Sequence, residues 1–289
     1  MTQINRRSLL AGAGGVALLG PFLALERAMA QVSAGEVSPD MAEAMKISEQ
    51  AHMELMAIDG LNMHGSEKVA MLMYPGFTAL DLVGPHYFFA CMMGAKVDLV
   101  TNQDDLSPVA SDLGLAIQPT AKLGDVSGPL DIMFIPGGTM GAVKAMQDQP
   151  TMDWVKTQAA EARYITSVCT GSMVLGKAGL LKGKRATSHW AAHEVLPQFG
   201  ATPVDKRVVI DGNVITGAGV SAGLDFGLAL VAALRGKPYA EALRLQAEYA
   251  PEPPVPGGTL ADTDSEIAKA MNGMFASTRA SLAQVAAGE

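Results

Sequence analysis

The chain reads as an α/β fold whose mostly parallel central sheet is covered by helices on both faces. Two observations predict it. Val69-Ala70-Met71-Leu72-Met73-Tyr74, Asp131-Ile132-Met133-Phe134-Ile135 and Tyr164 to Val168 are short, largely apolar runs, the pattern of strands buried on both faces. Segments of helical length, Ala79 to Met93 and Gly141 to Ala162, stand between them. That alternation is what a parallel sheet requires, because parallel neighbours need a crossover between them.

Taken in order, Val32 to about Met63 is polar and helical, with Pro39 opening a run of Met41, Met45, Ile47, Leu55 and Met56. It predicts a helical extension over residues 31–66. The first strand ends at Pro75-Gly76, and the helix after it carries Pro85 near its start or at a kink. Lys96 to Thr101 is a second strand. A hairpin-like stretch follows from Val109 to Pro119, with Gly114 at its turn. Pro136-Gly137-Gly138 closes the next strand, and Pro150 interrupts the helical sequence behind it. After Tyr164 to Val168 come helices over Gly171 to Ala178 and Ala191 to Phe199. Asp211-Gly212, between Arg207 to Ile210 and Asn213 to Thr216, is the strongest hairpin signal in the chain. Helices over Ser221 to Leu234 and Pro238 to Tyr249 complete the body. A Pro/Gly-rich break over 251–258 then leads to a tail, residues 255–289, in which Thr263-Asp264-Ser265-Glu266 reads as a capping box opening one helix to about Leu282.

The first thirty residues are of another kind. Arg6 and Arg7 precede an apolar, Gly/Ala-rich stretch from Leu9 to Leu25, and Ala28-Met29-Ala30 offers a small-residue cleavage site. Residues 1–30 are therefore expected to be a twin-arginine export signal, cleaved after Ala30 to leave a periplasmic protein. A membrane anchor is the alternative reading of the stretch, and Gln31 in place of Cys argues against a lipid anchor. Removing Arg6, Arg7, Arg27 and Glu26 leaves 18 basic and 28 acidic residues, a net charge of −10. A chain that acidic, without a basic run, is a poor nucleic-acid binder.

Cys91 and Cys169 are the only cysteines, which allows at most one disulfide and no metal-binding spacing. Cys169 stands at the carboxyl end of a strand, where ligands of open α/β sheets bind, and before a helix whose amide groups would favour thiolate. Its bland alternative is an inert buried cysteine, which is how Cys91, inside an apolar helix beside Met92 and Met93, is read. His86 and His193 read as surface or packing residues. Gly217-Ala218-Gly219 lacks the Lys-Ser/Thr ending of a phosphate loop and reads as helix packing.

Val168-Cys169-Thr170-Gly171-Ser172, with Ile135-Pro136-Gly137-Gly138 before it and Arg185-Ala186-Thr187-Ser188-His189-Trp190 after it, resembles the ThiJ/PfpI superfamily of the class I glutamine amidotransferase-like fold. The segment from Tyr74-Pro75-Gly76-Phe77 through Asp81 to Gly84-Pro85 is most similar to its isonitrile hydratase branch. The likeness runs from about Lys68 to Pro254. The resemblance implies a three-layer sandwich of flavodoxin-like topology, a catalytic domain over 67–254, and a homodimer acting on a small molecule without metal or organic cofactor. It makes Cys169 the nucleophile, Asp81 its acidic partner and Thr170 a neighbour that orients substrate or water, with the amides of Gly137, Gly138 and Thr170 lining an oxyanion-type pocket. A carboxyl beside a thiolate should keep its proton, although Asp81 alone could equally be a helix-start cap. His189 could enter the site or be a structural hydrogen-bonding residue beside Trp190. Protease-like members carry His directly after the cysteine, where this chain has Thr170.

The leading expectation is hydration of an isonitrile to an N-substituted formamide. Its rivals are a glyoxalase-like reaction with reactive carbonyls and a non-enzymatic ligand sensor of the kind found fused to AraC-type DNA-binding modules. For the sensor, the tail after Pro254 is too short and not basic.

Overall fold

The computed structural model describes residues 38–288. The expected export signal, its cleavage point and the start of the extension lie outside them. No helix of the described residues is long and apolar enough to cross a membrane.

The extension is one helix, α1 (Pro39–Met56), started by Ser38, whose hydroxyl accepts from the Met41 amide at 3.3 Å. None of its residues is buried, and it ends seven residues before the expected Met63. The chain continues extended, and Asn62 N–H donates to Arg235 O. It then enters β1 (Lys68–Met73), α2 (Ala79–Ala90), β2 (Lys96–Thr101), β3 (Val109–Ala110), β4 (Ala116–Ile117), β5 (Ala121–Lys122) and β6 (Ile132–Ile135). Helices α3 (Thr139–Gln147) and α4 (Gln149–Glu161) precede β7 (Tyr164–Val168) and α5 (Gly171–Lys177). Short strands β8 (Arg185–Ala186) and β9 (Thr202–Pro203) flank a 3-10 helix, His193–Phe199. The hairpin β10 (Val208–Asp211) and β11 (Val214–Gly217) leads to α6 (Ala222–Arg235), α7 (Lys237–Gln246), α8 (Ser265–Met274) and α9 (Ala276–Ala287).

The central sheet has the order β10-β11-β7-β6-β1-β2-β5, and every pairing in it is parallel except β10–β11. Val69 to Met73, Ile132 to Ile135, and Ile165 to Val168 are all buried, as strands covered on both faces must be. One covering layer holds α2, α6 and α7. Its helices approach closely because Gly227 faces Phe88 and Pro85, where a Cβ would come within 2.9 Å of the phenyl ring. The other layer holds α3, α5, α9 and the 3-10 helix. From β1 the chain runs outward to β2 and β5 and returns to β6 on the opposite side of β1. The crevice beyond the carboxyl ends of β1 and β6 is thus the switch point where such sheets take ligands.

Three elements differ from the expectation, and a fourth agrees with it. The helix after β1 stops at Ala90, so Cys91 is its C-cap and not an interior residue, and Gly94 at φ +84° turns the chain away. The interruption expected at Pro150 is present: Asp148 ends α3, and its carboxylate accepts from the Thr151 amide at 3.0 Å to begin α4, with Pro150 in the first turn. The helix expected over Ala191 to Phe199 is a 3-10 helix, since Pro197 removes the amide an α-helix would use there. The tail is not one helix but two, broken at Phe275, and Asp264 is its N-cap in place of the expected Thr263–Glu266 box. Gly217 serves packing as read, its α-carbon facing Val168 and Phe226.

Candidate active site

Cys169 follows β7 directly and with Thr170 joins it to α5, and its φ is +58°, a left-handed conformation few residues other than glycine adopt. Such a backbone persists only where its surroundings over-determine it, and here they do. Cys169 N–H donates to Ala218 O at 2.7 Å and Gly217 O at 3.1 Å, while its carbonyl accepts from Ser172 Oγ at 3.0 Å and Ser188 Oγ at 3.1 Å. The turn packs directly on the neighbouring strand end. A Cβ at Gly171 would collide with the Ile135 carbonyl oxygen, so only glycine fits after Thr170.

The end of β6 and the start of α2 complete the site. Gly137 lies between the two candidate catalytic side chains: a Cβ there would stand 2.6 Å from Asp81 Oδ2 and 2.8 Å from Cys169 Cβ. Its amide donates to Asp81 Oδ2 at 2.9 Å, and the Gly138 amide donates to Thr170 Oγ1 at 3.0 Å. Both glycine amides expected to bind an oxyanion are therefore engaged already, each holding a side chain against the thiol. The Thr170 amide and hydroxyl are the groups that face the sulfur. Asp81 is not a helix cap, since no side chain caps α2 and Thr78 occupies that position.

Asp81 is fully buried, and burial pushes its carboxyl up from 3.8 to about 7, against the lowering effect of the Cys169 and Gly137 hydrogen bonds. Cys169 is pushed well above its ordinary value, first by burial and then by the charge of Asp81, while the Thr170 amide pulls it back. The thiol was expected to ionise readily at a helix start; burial outweighs the seven-residue α5. With Asp81 raised to about 7 and Cys169 held well above its ordinary value, the coupled pair carries one negative charge once the carboxyl has titrated.

Over the thiol lies a pocket of about 490 Å³, walled largely by apolar side chains. Leu80 of α2, Leu113 and Leu115 of the β3–β4 turn and Val220 line it, with Thr78 and Asp112 at one side, where Thr78 Oγ1 donates to Asp112 Oδ2 at 2.6 Å. His189 is a wall residue. Burial lowers its pKa, its Nδ1 accepts from the Ala191 amide at 3.3 Å, and its ring stands 5.3 Å from that of Trp190. Its Nδ1 is thus the accepting nitrogen, and burial disfavours the charged imidazole.

The sequence pattern of the DJ-1/PfpI family matches residues 67–233, more than half of the chain. The chain belongs to the DJ-1/PfpI family. Within it, the chain is 48% identical over 192 residues to an isonitrile hydratase of Pseudomonas putida, covering 66% of this chain and 82% of that one. A glutathione-independent glyoxalase of Caenorhabditis elegans is 32% identical over 130 residues, 45% of this chain and 69% of the other. Among solved structures, a ThiJ/PfpI family protein from Pseudomonas syringae superposes with a TM-score of 0.77 at 44% identity, over 87% of this chain and 96% of that one. The family fold is the mostly parallel sheet with helices described above.

The structure thus brings Cys169, Asp81, Thr170, Gly137, Gly138 and His189 into one site. Sequence reading missed Thr78 with Asp112, and the pocket residues Phe275 and Thr278. Gly114 marked the turn that carries Asp112; nothing in the tail marked Phe275. His193 stays outside the pocket walls, and burial lowers the pKa of His86 in α2.

Proposed function

We propose that this DJ-1/PfpI family enzyme hydrates isonitriles to N-substituted formamides, with Cys169 as nucleophile and Asp81 as proton carrier. The observation that carries the reading is a carboxyl raised to about 7 against a strained, buried thiol at the floor of an apolar pocket. An isonitrile offers little to hydrogen-bond, so such a pocket suits it, and the likeness to the Pseudomonas putida isonitrile hydratase supports it.

In the singly charged pair, the proton shared with the thiol resides on Asp81 when the sulfur attacks. The Cys169 sulfur forms a bond to the terminal isonitrile carbon, and Asp81 gives that carbon its proton, leaving a thioimidate, R–N=CH–S. Water adds across the C=N bond, its hydroxyl going to carbon and its hydrogen to nitrogen. The C–S bond then breaks, the hydroxyl proton returns to the Asp81–Cys169 pair, and R–NH–CHO departs. The Thr170 amide and hydroxyl hold the sulfur through both steps.

The test is incubation of purified protein with cyclohexyl isocyanide, read by mass spectrometry as the gain of one water in N-cyclohexylformamide. If isonitriles are untouched while methylglyoxal is consumed in a Cys169-dependent way, the carbonyl reaction replaces this reading. We also propose twin-arginine export. Replacing Arg6 and Arg7 with lysines should leave uncleaved precursor in the cytoplasm, and normal delivery of that variant would refute the route.

A further inference from the structure

The tail beyond the family match does more than cover the domain. Helix α9 is anchored by Leu282 and Val285, both buried, and by Lys177 Nζ, which donates to Val285 O at 2.8 Å. Arg279 pairs with Glu194 at 3.0 Å and donates to Asn272 O at 2.8 Å, tying α9 back to α8 across the break. Those contacts hold the helix pair in place without Phe275. The break itself stands at the pocket, where Phe275 and Thr278 are wall residues. The Phe275 ring lies 5.5 Å from that of His189 and 5.2 Å from that of Trp190, so the three rings form one aromatic face beside the cavity.

We propose that the α8–α9 pair is the specificity wall of this enzyme, and that Phe275 selects isonitriles with a ring-sized apolar N-substituent over small alkyl ones. The proposal rests on the isonitrile reading of the site. The C–N≡C unit is linear, so an isonitrile whose carbon meets the Cys169 sulfur sends its substituent straight out from the floor of the pocket. The cavity it enters is bounded by Leu80, Leu113, Val220 and Phe275 and holds about 490 Å³. A methyl group leaves most of that space in water. A phenyl or cyclohexyl group displaces the water and meets an aromatic wall, against which rings pack edge to face or offset.

The experiment compares wild type, Phe275→Ala and Phe275→Leu in kcat/KM for benzyl and methyl isonitrile, and in calorimetric affinity for N-benzylformamide. Phe275→Ala should lower the benzyl-to-methyl ratio about tenfold, the scale of one lost apolar pocket contact, and weaken N-benzylformamide by a similar factor. Phe275→Leu should recover part of both. Ratios and affinities within twofold of wild type in both variants would overturn the proposal. If the wild type turns over no isonitrile while Phe275→Ala still weakens N-benzylformamide, the hydratase reading fails and the role of the wall in binding stands.

Discussion

Cys169 and Cys91 share what burial alone can measure. Both are free thiols, both are buried, and burial raises the pKa of both, Cys91 to about 12. Their backbones differ: Cys91 caps α2 in an ordinary right-handed conformation, φ −81°, whereas Cys169 is held at +58° by four hydrogen-bonding groups. Their neighbours differ too. Cys91 meets Tyr87, and its carbonyl accepts from Tyr239 at 2.9 Å, in a corner that closes the fold. Cys169 meets a protonatable carboxyl and opens on a cavity. A buried thiol becomes useful through a partner that can take and return its proton and through space for a substrate.

The largest expected effect separates the two residues outright. Cys169→Ala should abolish turnover of cyclohexyl isocyanide, whereas Cys91→Ala should leave it near wild type while lowering stability by about 1 kcal/mol through a small cavity. Progress curves and chemical denaturation read the two together, and substantial turnover by Cys169→Ala would end the thioimidate mechanism. Next, Asp81→Asn keeps an acceptor for the Gly137 amide but cannot carry a proton. It should cost about 10² in kcat, and a smaller loss than tenfold would make Asp81 a packing residue.

The same ionisation fixes two pH dependences of opposite sign. Because Asp81 binds its proton more tightly folded than unfolded, its contribution to stability is full below about pH 4 and is lost as pH rises to about 7. In the proposed mechanism the reactive species is the singly charged pair, so kcat/KM should climb as pH passes about 7. Asp81→Asn should flatten the stability profile between pH 4 and 7 and move the activity rise upward, toward the titration of Cys169 alone. A wild-type rate that falls through pH 7 would contradict the shared-charge scheme.

Strands were the most legible elements, and for a physical reason. β7 was predicted residue for residue, because a strand buried on both faces shows as an apolar run bounded by turn residues, and the bounds of β2 agree as well, although its Lys96 is exposed and Asp98 and Leu99 are half-buried. Where tertiary contacts decide, the sequence misleads: Phe275 reads as one more apolar helical position, yet it breaks the tail where the chain must turn over the pocket. The pairing of Cys169 with Asp81 was legible through its motifs. The engagement of the Gly137 and Gly138 amides was not, since it depends on how closely β6, α2 and the Cys169 turn approach.

The smallest effect tests how Thr170 sharpens the contrast between the thiols. Its hydroxyl accepts from the Gly138 amide and, with its own amide, draws the Cys169 pKa back down against burial. Thr170→Val keeps the shape and the backbone amide and removes one hydrogen bond to the sulfur. A single such bond is worth about 1 kcal/mol, so the thiolate fraction of Cys169, and with it the rate of iodoacetamide alkylation near neutral pH, should fall about fivefold. Thr170→Ser restores the hydroxyl and should restore the rate. Cys91, with no contact to this turn, should label slowly and equally in all three proteins, which makes it the internal standard. Labelling of Cys169 that is as slow as that of Cys91 in the wild type would show that burial, and not the Thr170 contacts, governs both thiols alike.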